Sequence, residues 1–262
     1  MKISIVTSSF NSAGTLRSTL EGVLAQNYSD YELIIQDGGS TDGTMDLIEE
    51  YQPRFGGRLK VESCADKGIY DGFNRGCRRA TGDVVGILNS DDFFTRNDVL
   101  ETIARTFAEH PGLDAVYADV HYISPKDPSR IVRYYSSKKF TPERMRMGYI
   151  PAHPTFYLRR ECFDRYGYYD LSYKVAADFE FLLRLIYIHR IKTHYVEEDW
   201  VTMRIGGATT RGLQSHLRIM KDHIRAFRKH GIPFNPFTYF WRYVEKLREF
   251  RFCSSDKNSS MG

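Results

Sequence analysis

Over the first 110 residues, segments with alternating apolar and polar positions take turns with segments whose apolar residues recur at helical spacing. The strand-like segments are 3–8, 31–37, 58–64 and 82–88, and the helix-like segments are 16–24, a short stretch through Ile48, 69–80 and 97–109. Regular alternation of strands and helices is typical of α/β proteins with parallel strands. The pattern therefore predicts a doubly wound, mostly parallel sheet.

After Pro111 the pattern is less regular. It predicts short strands at 114–118, 131–135, 155–158 and 193–197, a helix at 178–188 and a loop around the glycine pair at 206–207. Two amphipathic helices follow at about 214–229 and 237–250, and the polar ending, 253–262, is predicted to be disordered.

Composition adds three expectations. The chain of 262 residues is 42% hydrophobic and 27% charged, and it has no run of roughly 18 or more apolar residues that would span a membrane. It begins directly in a strand pattern without an apolar signal core, so we expect a cytoplasmic protein. The four cysteines have no metal-site spacing and are expected to be free thiols; they are Cys64, Cys77, Cys162 and Cys253.

The net charge of +4 is unevenly distributed. Residues 211–251 contain ten Lys and Arg against three acids, so residues 1–210 are net acidic. A nucleic-acid-binding surface should be basic where the binding pocket lies, which argues against a nucleic acid as the partner. The basic, aromatic C-terminal helices suit an anionic membrane surface, although packing on the rest of the chain or on a second copy in a homodimer would explain their apolar stripes equally well.

Polar side chains collect at the predicted carboxyl ends of the first four strands. Ligands of doubly wound sheets bind beyond these strand ends. The residues in question are Thr7, Ser8, Ser9 and Asn11 after the first strand, Asp37 after the second, Asp66 and Lys67 after the third, and Ser90, Asp91 and Asp92 after the fourth. Their convergence is the main functional signal of the sequence.

Two carboxylates stand side by side in the stretch "GILNSDDFF", at Asp91 and Asp92. Burying either charge without a partner costs several kcal/mol. A divalent cation with oxygen ligands, Mg²⁺ or Mn²⁺, would relieve their repulsion and retain coordination sites for phosphate oxygens. The alternative is a polar turn that caps the helix predicted to begin near Asn97.

Two further stretches near the strand ends could contact a nucleotide. Asp37 precedes the glycine-rich "GGSTDGT" and could accept hydrogen bonds from a base or a ribose, or could form an ordinary Asx turn. In "ADKGIYDGFNRG", Lys67 could meet phosphate while Asp66, Asp71 and Asn74 could bond hydroxyls; the alternative is a solvated helix start. The phosphate-binding G-x-x-x-x-G-K-[ST] and dinucleotide-binding G-x-G-x-x-G patterns are absent.

The second half of the chain offers two candidates for chemistry. Asp178 lies at the start of a predicted helix, whose positive end favours the ionised carboxylate that a general base needs. Simple N-capping is the alternative, although no capping-box Glu or Gln follows three residues later. His153, between two prolines, could contact substrate or metal, or could be a turn residue.

Together these residues resemble glycosyltransferase family 2, the inverting group with the A-type (GT-A) nucleotide-sugar-binding fold. The matching stretches are "ISIVTSSFNSAGTLRSTLEGVLAQNYSDYELIIQDGGSTDGT", "ADKGIYDGFNRGCRRATGDVVGILNSDD", "AHPTFYLRRECF" and "YKVAADFEFLLRL". The resemblance covers residues 1 to about 207 and is densest up to residue 94. Within the family it is greatest to bacterial enzymes that build O-antigen, capsule or exopolysaccharide.

The resemblance implies a fold, with a smaller mixed sheet beside the parallel one, and a role for each matching position. The donor pocket would contain Thr7, Ser9, Asn11, Asp37 (on the base, usually uracil), Asp66, Lys67, Asn74 and Ser90. The metal ligands would be Asp91, with Asp92 in support. Asp178 would be the catalytic base, and Asp71 and His153 would belong to the acceptor region. The implied domains are a catalytic domain, 1–207, with a donor half to 110 and an acceptor half from 111, then the helices 208–252 and the tail.

The chain also departs from the family pattern. Asn89 occupies the first position of the D-x-D metal motif, Gly38 replaces a second acid, and Gly72 and Phe73 stand where many relatives have Ala-Arg. No Q-x-x-R-W follows Asp178, which argues for transfer of one sugar at a time rather than processive synthesis.

The activity implied by the resemblance is transfer of one hexosyl or N-acetylhexosaminyl unit from a nucleotide-diphosphate sugar, most often a UDP-sugar. The acceptor would be a hydroxyl of a glycan or of a polyprenyl-diphosphate-linked oligosaccharide in bacterial surface polysaccharide synthesis, with Mn²⁺ or Mg²⁺ as cofactor. The enzyme would be cytoplasmic or peripheral at the inner face of the plasma membrane. The alternatives are a sugar-nucleotide-binding protein that has lost catalysis and a nucleotidyltransferase, although "TSSFNSAG" has neither the lysine nor the arginine that the latter needs.

Overall fold

The computed structural model describes residues 1–205 and 212–241. Its first half contains four parallel strands in the order β3-β2-β1-β4, as the alternating pattern predicted. The strands are β1 (Ile3–Ser9), β2 (Tyr31–Asp37), β3 (Leu59–Ser63) and β4 (Val84–Ile87). The helices that connect or follow them are α1 (Leu16–Leu24), α2 (Thr44–Tyr51), α3 (Ile69–Arg79) and α4 (Val99–Glu109).

The second half extends the same sheet with strands of mixed direction. The added strands are β5 (Phe93–Phe94), β6 (Ala115–Ile123), β7 (Ile131–Tyr135), β8 (Tyr157–Arg159) and β9 (Thr193–Arg204). Strand β8 joins the two halves because it pairs antiparallel with both β4 and β6. Strand β9 runs parallel to β6, while β7 and β5 form antiparallel pairs with β6 and β9. The predicted mixed strands are thus a continuation of the parallel sheet.

Several local predictions differ from the structure. The strand predicted at 193–197 is β9, which continues to Arg204 because it follows the long strand β6. The helix predicted at 178–188 is α6 (Ala177–Leu182), followed by a π-helical segment, Leu183–Ile188. The sequence pattern predicted neither β5 nor α5 (Arg160–Tyr166).

Three other predictions concern the cysteines, the C-terminal region and the membrane-spanning potential of the helices. Three cysteines are free thiols, as expected: Cys64, Cys77 and Cys162. The fourth, Cys253, lies outside the described residues, as do the glycine pair at 206–207 and most of the second predicted C-terminal helix, of which residues 236–241 are helical. No helix within 1–205 or 212–241 is long and apolar enough to cross a membrane.

The sheet is buried on both faces, each covered by its own hydrophobic cluster. Alternate residues of a strand point to opposite faces, so Ile3 and Ile5 pack against α1, α2 and α4, whereas Val6 packs on the side of α3 and α6. Burial on both faces explains the nearly continuous apolar runs of the parallel strands.

The C-terminal helix α7 (Gly212–Lys229) packs against α6. The ring of His223 stacks on Phe179 at 3.7 Å between centroids, and Ala226 and Phe227 are buried beside it. Helix α7 therefore packs on the rest of the chain, which was one of the alternatives for its apolar stripe.

A buried carboxylate fastens the end of this helix. The fully buried Glu180 of α6 accepts hydrogen bonds from Lys229 at 2.9 Å and His230 at 2.8 Å, and it pairs with Arg184 on its own helix. Burial alone would raise the pKa of Glu180, but the bonds from His230, Arg184 and Lys229 outweigh it and lower the pKa to about 2.

We predict that replacing Gly86 with alanine destabilises the sheet. A Cβ at this position would lie 2.3 Å from the ring of Tyr157, which is fully buried and cannot move aside. Overpacking of this kind costs about 1–3 kcal/mol in the free energy of unfolding, measurable by urea denaturation. Gly14→Ala, which would meet no heavy atom within 4 Å, is the matched control. Equal stability of the two variants would contradict the packing described here.

We also predict that the Glu180 network makes stability depend on pH. Because the folded-state pKa of Glu180 is below its usual value, its contribution is complete above about pH 5 and is lost as the pH falls towards 2. A shift of this size corresponds to about 3 kcal/mol. The Glu180→Gln variant should lose less stability between pH 6 and pH 3 than the wild type does. Glu109→Gln, which removes an exposed carboxylate at the end of α4, is the control and should follow the wild type.

Candidate active site

The ends of the parallel strands meet at one edge of the sheet, as the sequence predicted. The register aligns Ser9 with Asp37 and Asp37 with Ser63, so the last residues of β1, β2 and β3 lie side by side. The loop after β4 joins them through a hydrogen bond between the hydroxyls of Ser12 and Ser90 at 2.9 Å. The candidate site is built on this edge.

Asp37 is fully buried and its carboxylate is saturated with donors. Ser9, Ser40 and Ser63 donate hydroxyl hydrogen bonds to it, and Gly39 and Ser40 donate backbone N–H bonds. Burial would raise the pKa of Asp37, but these hydrogen bonds together lower it below its usual value. Asp37 therefore forms the Asx turn and holds the glycine-rich loop. For this carboxylate to accept a hydrogen bond from a base, one of the five present donors would have to leave.

The segment after β1 is held to the same loop. Asn11 adopts a left-handed backbone conformation with φ of 49°, donates its N–H to Ser40 and accepts the N–H of Thr41 at 2.9 Å. The preceding residue, Phe10, remains 63% exposed at the edge of the site. Thr7, in contrast, is buried and donates its hydroxyl to the carbonyl of Leu88, so it joins β1 to the loop after β4.

The start of α3 lies against the end of β2. A Cβ at Gly38 would come within 3.0 Å of the Asp66 carboxylate, and one at Gly72 would lie 2.2 Å from the hydroxyl of Ser8. Glycine at 38 and 72, two departures from the family pattern, therefore lets α3 and Asp66 approach the strand ends closely. Lys67 is exposed at this point.

Two predicted polar residues of α3 have structural partners. Asp71 accepts the N–H of Lys67 and forms an ion pair with Arg75 at 3.0 Å. Asn74 is buried and bonds both the N–H and the carbonyl of Tyr169. Both amide atoms of Asn74 thus bond the backbone of Tyr169, and Asp71 bonds Lys67 and Arg75 close to it on the chain.

Asp91 and Asp92 stand in a tight turn after β4. The side-chain amide of Asn89 donates to Asp92 at 2.6 Å, and Thr19 of α1 donates to the carbonyl of Asp92 at 2.7 Å. Asp92 is only 1% exposed, whereas Asp91 is half-buried. The alternative, that this turn caps the following helix, is wrong. Helix α4 begins at Val99 after Asp98, and no side chain forms a capping hydrogen bond to it.

The electrostatics of this turn fit a bound cation. Burial raises the pKa of both carboxyls, and the charge of Asp91 raises that of Asp92 further. A divalent cation would relieve this cost. Asp91 would be its ligand, and Asp92, whose carboxylate accepts the side-chain amide of Asn89, would support Asp91. Within the described part of the chain no three His, Cys, Asp or Glu side chains gather into a metal site. The residues present therefore suit a cation that takes most of its ligands from water and phosphate.

Asp178 lies in the first turn of α6, which begins after Ala176. Asp178 is therefore not the N-cap residue, and its Oδ1 accepts the N–H of Phe179 at 2.8 Å. The Tyr70 hydroxyl donates to the carbonyl of Val175 at 2.6 Å and lies 3.2 Å from the same Oδ1. Its Oδ2 has no hydrogen-bond partner among residues 1–205 and 212–241. Tyr70 belongs to α3, so the same helix start that carries Asp66 and Lys67 also contacts Asp178.

His153 lies close to Asp178 within an aromatic cluster. Its Nε2 is 2.9 Å from the hydroxyl of Tyr169, whose ring stacks on that of Tyr70. Burial lowers the pKa of His153 and the charge of Asp178 partly opposes this effect. The structure thus brings His153 and Asp178 together, although they are separated by 25 positions in the sequence.

Sequence reasoning missed two residues of this region. Phe10 was read only as part of the first strand and its loop, and Arg204 lies beyond the predicted end of β9. The Arg204 guanidinium lies 5.4 Å from the centre of the Phe93 ring, next to the turn, and its charge partly opposes the rise in the pKa of Asp91 and Asp92. The exposed aromatic side chain directly before Asn11 was the one available signal for Phe10.

Comparison with known proteins identifies the family. The family model described as Glycosyl transferase family 2 matches residues 4–166. A "PGL/p-HBAD biosynthesis glycosyltransferase" of Mycobacterium bovis (strain BCG / Pasteur 1173P2) is 33% identical over 193 residues, which are 74% of this chain and 73% of the relative.

Solved structures share the fold. S. aureus TarS 1–349 in complex with UDP-GlcNAc superposes with a TM-score of 0.69 at 18% identity, covering 98% of this chain and 74% of that one. A second match, to a longer chain of S. aureus TarS, covers 85% of this chain and 39% of that one. A mannosyltransferase from Pyrobaculum calidifontis, in complex with GDP-Man and Mn²⁺, gives 0.67 at 19% identity, covering 99% and 76%. The fold is GT-A, and the chain belongs to glycosyltransferase family 2.

Proposed function

We propose that this enzyme transfers one sugar, with inversion, from a UDP-sugar to a hydroxyl of a glycan or lipid-linked oligosaccharide. The observation that carries the proposal is that the Asp91–Asp92 turn and Asp178 border the same edge of the sheet. The turn is joined to the β1 loop through Ser90, and Asp178 is joined to α3 through Tyr70. A group that would hold a leaving diphosphate and a carboxylate that would accept a proton thus border the same edge, which supports the proposal.

The donor would lie along the strand ends. The exposed ring of Phe10 offers a flat apolar surface for a base, and Asn11, Ser90 and Lys67 offer polar groups near the ribose and the phosphates. The packing assigns Thr7, Ser9, Asp37 and Asn74 to holding the loops that bear these groups. TarS in complex with UDP and with UDP-GlcNAc supports uridine as the nucleoside.

Asp91 would be the principal ligand of a divalent cation, with Asp92 in support. When bound, Mn²⁺ or Mg²⁺ stabilises the negative charge of the nucleoside diphosphate as it departs. The Mn²⁺ in the structure of the Pyrobaculum mannosyltransferase supports this assignment.

Asp178 would act as the general base. The N–H of Phe179 and the nearby hydroxyl of Tyr70 contact its Oδ1, while Oδ2 has no partner in the described part of the chain and could accept the proton of an attacking hydroxyl. Attack from this side, opposite the diphosphate, would invert the configuration at the anomeric carbon. His153, beside Asp178, would face the acceptor, and Asp71 would act only by holding the start of α3.

The remaining parts of the proposal concern context. The relative named for PGL/p-HBAD biosynthesis supports a glycan or glycolipid acceptor, in line with bacterial surface polysaccharide synthesis.

The catalytic domain would comprise residues 1–207, with the donor half to residue 110. A protein that binds sugar nucleotides without catalysis is the second candidate; the Asp178 oxygen that has no partner among residues 1–205 and 212–241 speaks against it.

The C-terminal region would contact an anionic membrane surface. Phe237, 87% exposed, and Trp241 lie at i and i+4 on one helical face, while the neighbouring Tyr239 is buried against His223. The exposed side of α7 adds Arg218, Lys221, Arg225 and Arg228. Exposed aromatic rings and basic side chains are both typical of segments that bind the interface of an anionic bilayer.

We predict that Asp178→Asn lowers kcat by roughly 10²–10⁴-fold, because a positioned general base contributes about that much. UDP binding in the presence of Mn²⁺, measured by calorimetry, should not change, because in this proposal Asp178 would contact the acceptor and not the nucleotide. Asp164→Asn removes an exposed carboxylate of α5 and is the matched control. A variant at Asp178 that turns over at the wild-type rate would disprove the assignment.

We predict that the double variant Phe237→Ser, Trp241→Ser no longer floats with vesicles containing anionic phospholipid. The control is Ile131→Ser, which removes an exposed apolar side chain elsewhere on the surface. Unchanged flotation of the double variant would argue against this surface. Conversion of a wild-type dimer to a monomer by the same variant would assign the face to a homodimer instead.

A further inference from the structure

Arg204 is the last residue of β9 and lies opposite the Asp91–Asp92 turn. Strands β5 and β9 pair antiparallel, with Phe93 across from Thr202 and Phe94 across from Val201. The Asp91–Asp92 turn directly precedes β5, and Arg204 follows Thr202, the partner of Phe93, by two positions. Among the described residues the contacts of the Arg204 guanidinium are with Ser18 and Phe93 rather than with either carboxylate.

The guanidinium is held in place by neighbours other than the carboxylates. Its Nη2 donates to the hydroxyl of Ser18 in α1 at 2.9 Å, and its charge lies 5.4 Å from the centre of the Phe93 ring. Its Nε is buried and has no hydrogen-bond partner in the part of the chain that the structure describes. A buried donor without a partner costs about 1–3 kcal/mol and is rare, which indicates that a ligand completes this group.

The surrounding charges restrict what this ligand can be. Two carboxylates on one side would repel a simple anion, and the guanidinium on the other side would repel a simple cation. A divalent cation bound to a diphosphate presents a positive charge to the carboxylates and phosphate oxygens to the arginine. Arginine binds phosphate with two parallel N–H donors, which lysine cannot do.

We propose that Arg204 binds the diphosphate of the sugar nucleotide and stabilises it as the leaving group. This inference rests on the proposed function and adds a donor-binding residue that comes from the last strand of the sheet. The sheet is curled so that β9, remote from β1 in strand order, reaches α1 through the bond from Arg204 to Ser18.

Two titrations on the full-length protein test the inference. We expect Arg204→Met to weaken the binding of UDP in the presence of Mn²⁺ at least tenfold by calorimetry, and Arg204→Lys to give an intermediate value. We expect Mn²⁺ alone, followed by its electron paramagnetic resonance signal, to bind Arg204→Met as tightly as the wild type or more tightly, because a repelling positive charge has been removed. Arg96→Met, which breaks a surface ion pair with Asp98 near the same turn, is the control and should match the wild type.

The outcomes separate this inference from the proposed function. If UDP binds Arg204→Met as it binds the wild type, Arg204 is only a counter-charge for the carboxylates and the inference is wrong. If UDP and Mn²⁺ binding weaken together, Arg204 maintains the structure of the turn and the inference is equally wrong. If the wild type binds none of UDP, GDP and dTDP with Mn²⁺, the proposed function itself fails.

Discussion

The adjacent carboxylates of Asp91 and Asp92, held at the edge of a buried sheet, set the main physical constraint on this protein. Asn89 compensates part of this charge through a hydrogen bond to the Asp92 carboxylate, and Arg204 does so through a longer-range attraction, while Thr19 holds the backbone carbonyl of Asp92. None of these contacts removes the repulsion between the two groups. The folded protein therefore tolerates the repulsion between the two carboxylates, and a bound metal–diphosphate complex would neutralise it.

Helix α3 connects this incomplete site to the rest of the catalytic apparatus. Its start touches the ends of β1 and β2 because Gly72 allows close approach, and its Tyr70 reaches Asp178. Helix α6, which carries Asp178, is in turn fastened to α7 through Glu180. The position of the candidate base thus depends on packing that begins at the strand ends and finishes in the C-terminal helix.

The sequence was sufficient to predict the parallel half of the sheet and the convergence of polar residues at its edge, because period-two patterns and strand-end residues are local signals. It could not show that the side chains of Thr7 and Asn74 form hydrogen bonds with backbone groups, because the partner residues are 81 and 95 positions away in the sequence. It also missed Arg204, because β9 runs to that residue only through pairing with β6, a tertiary contact that its own pattern does not encode.

The carboxylates of the structure fall into two physical classes that look alike in sequence. Asp37 and Glu180 are buried, but enough donors surround each of them to lower its pKa, and they hold loops and helices in place. Asp91 and Asp92 are also withdrawn from water, but they have too few donors, and burial raises their pKa. An acid at a strand end is therefore a candidate for ligand binding when its hydrogen-bonding capacity is left unfilled, and this criterion separates Asp91 from Asp37 although both follow an apolar strand.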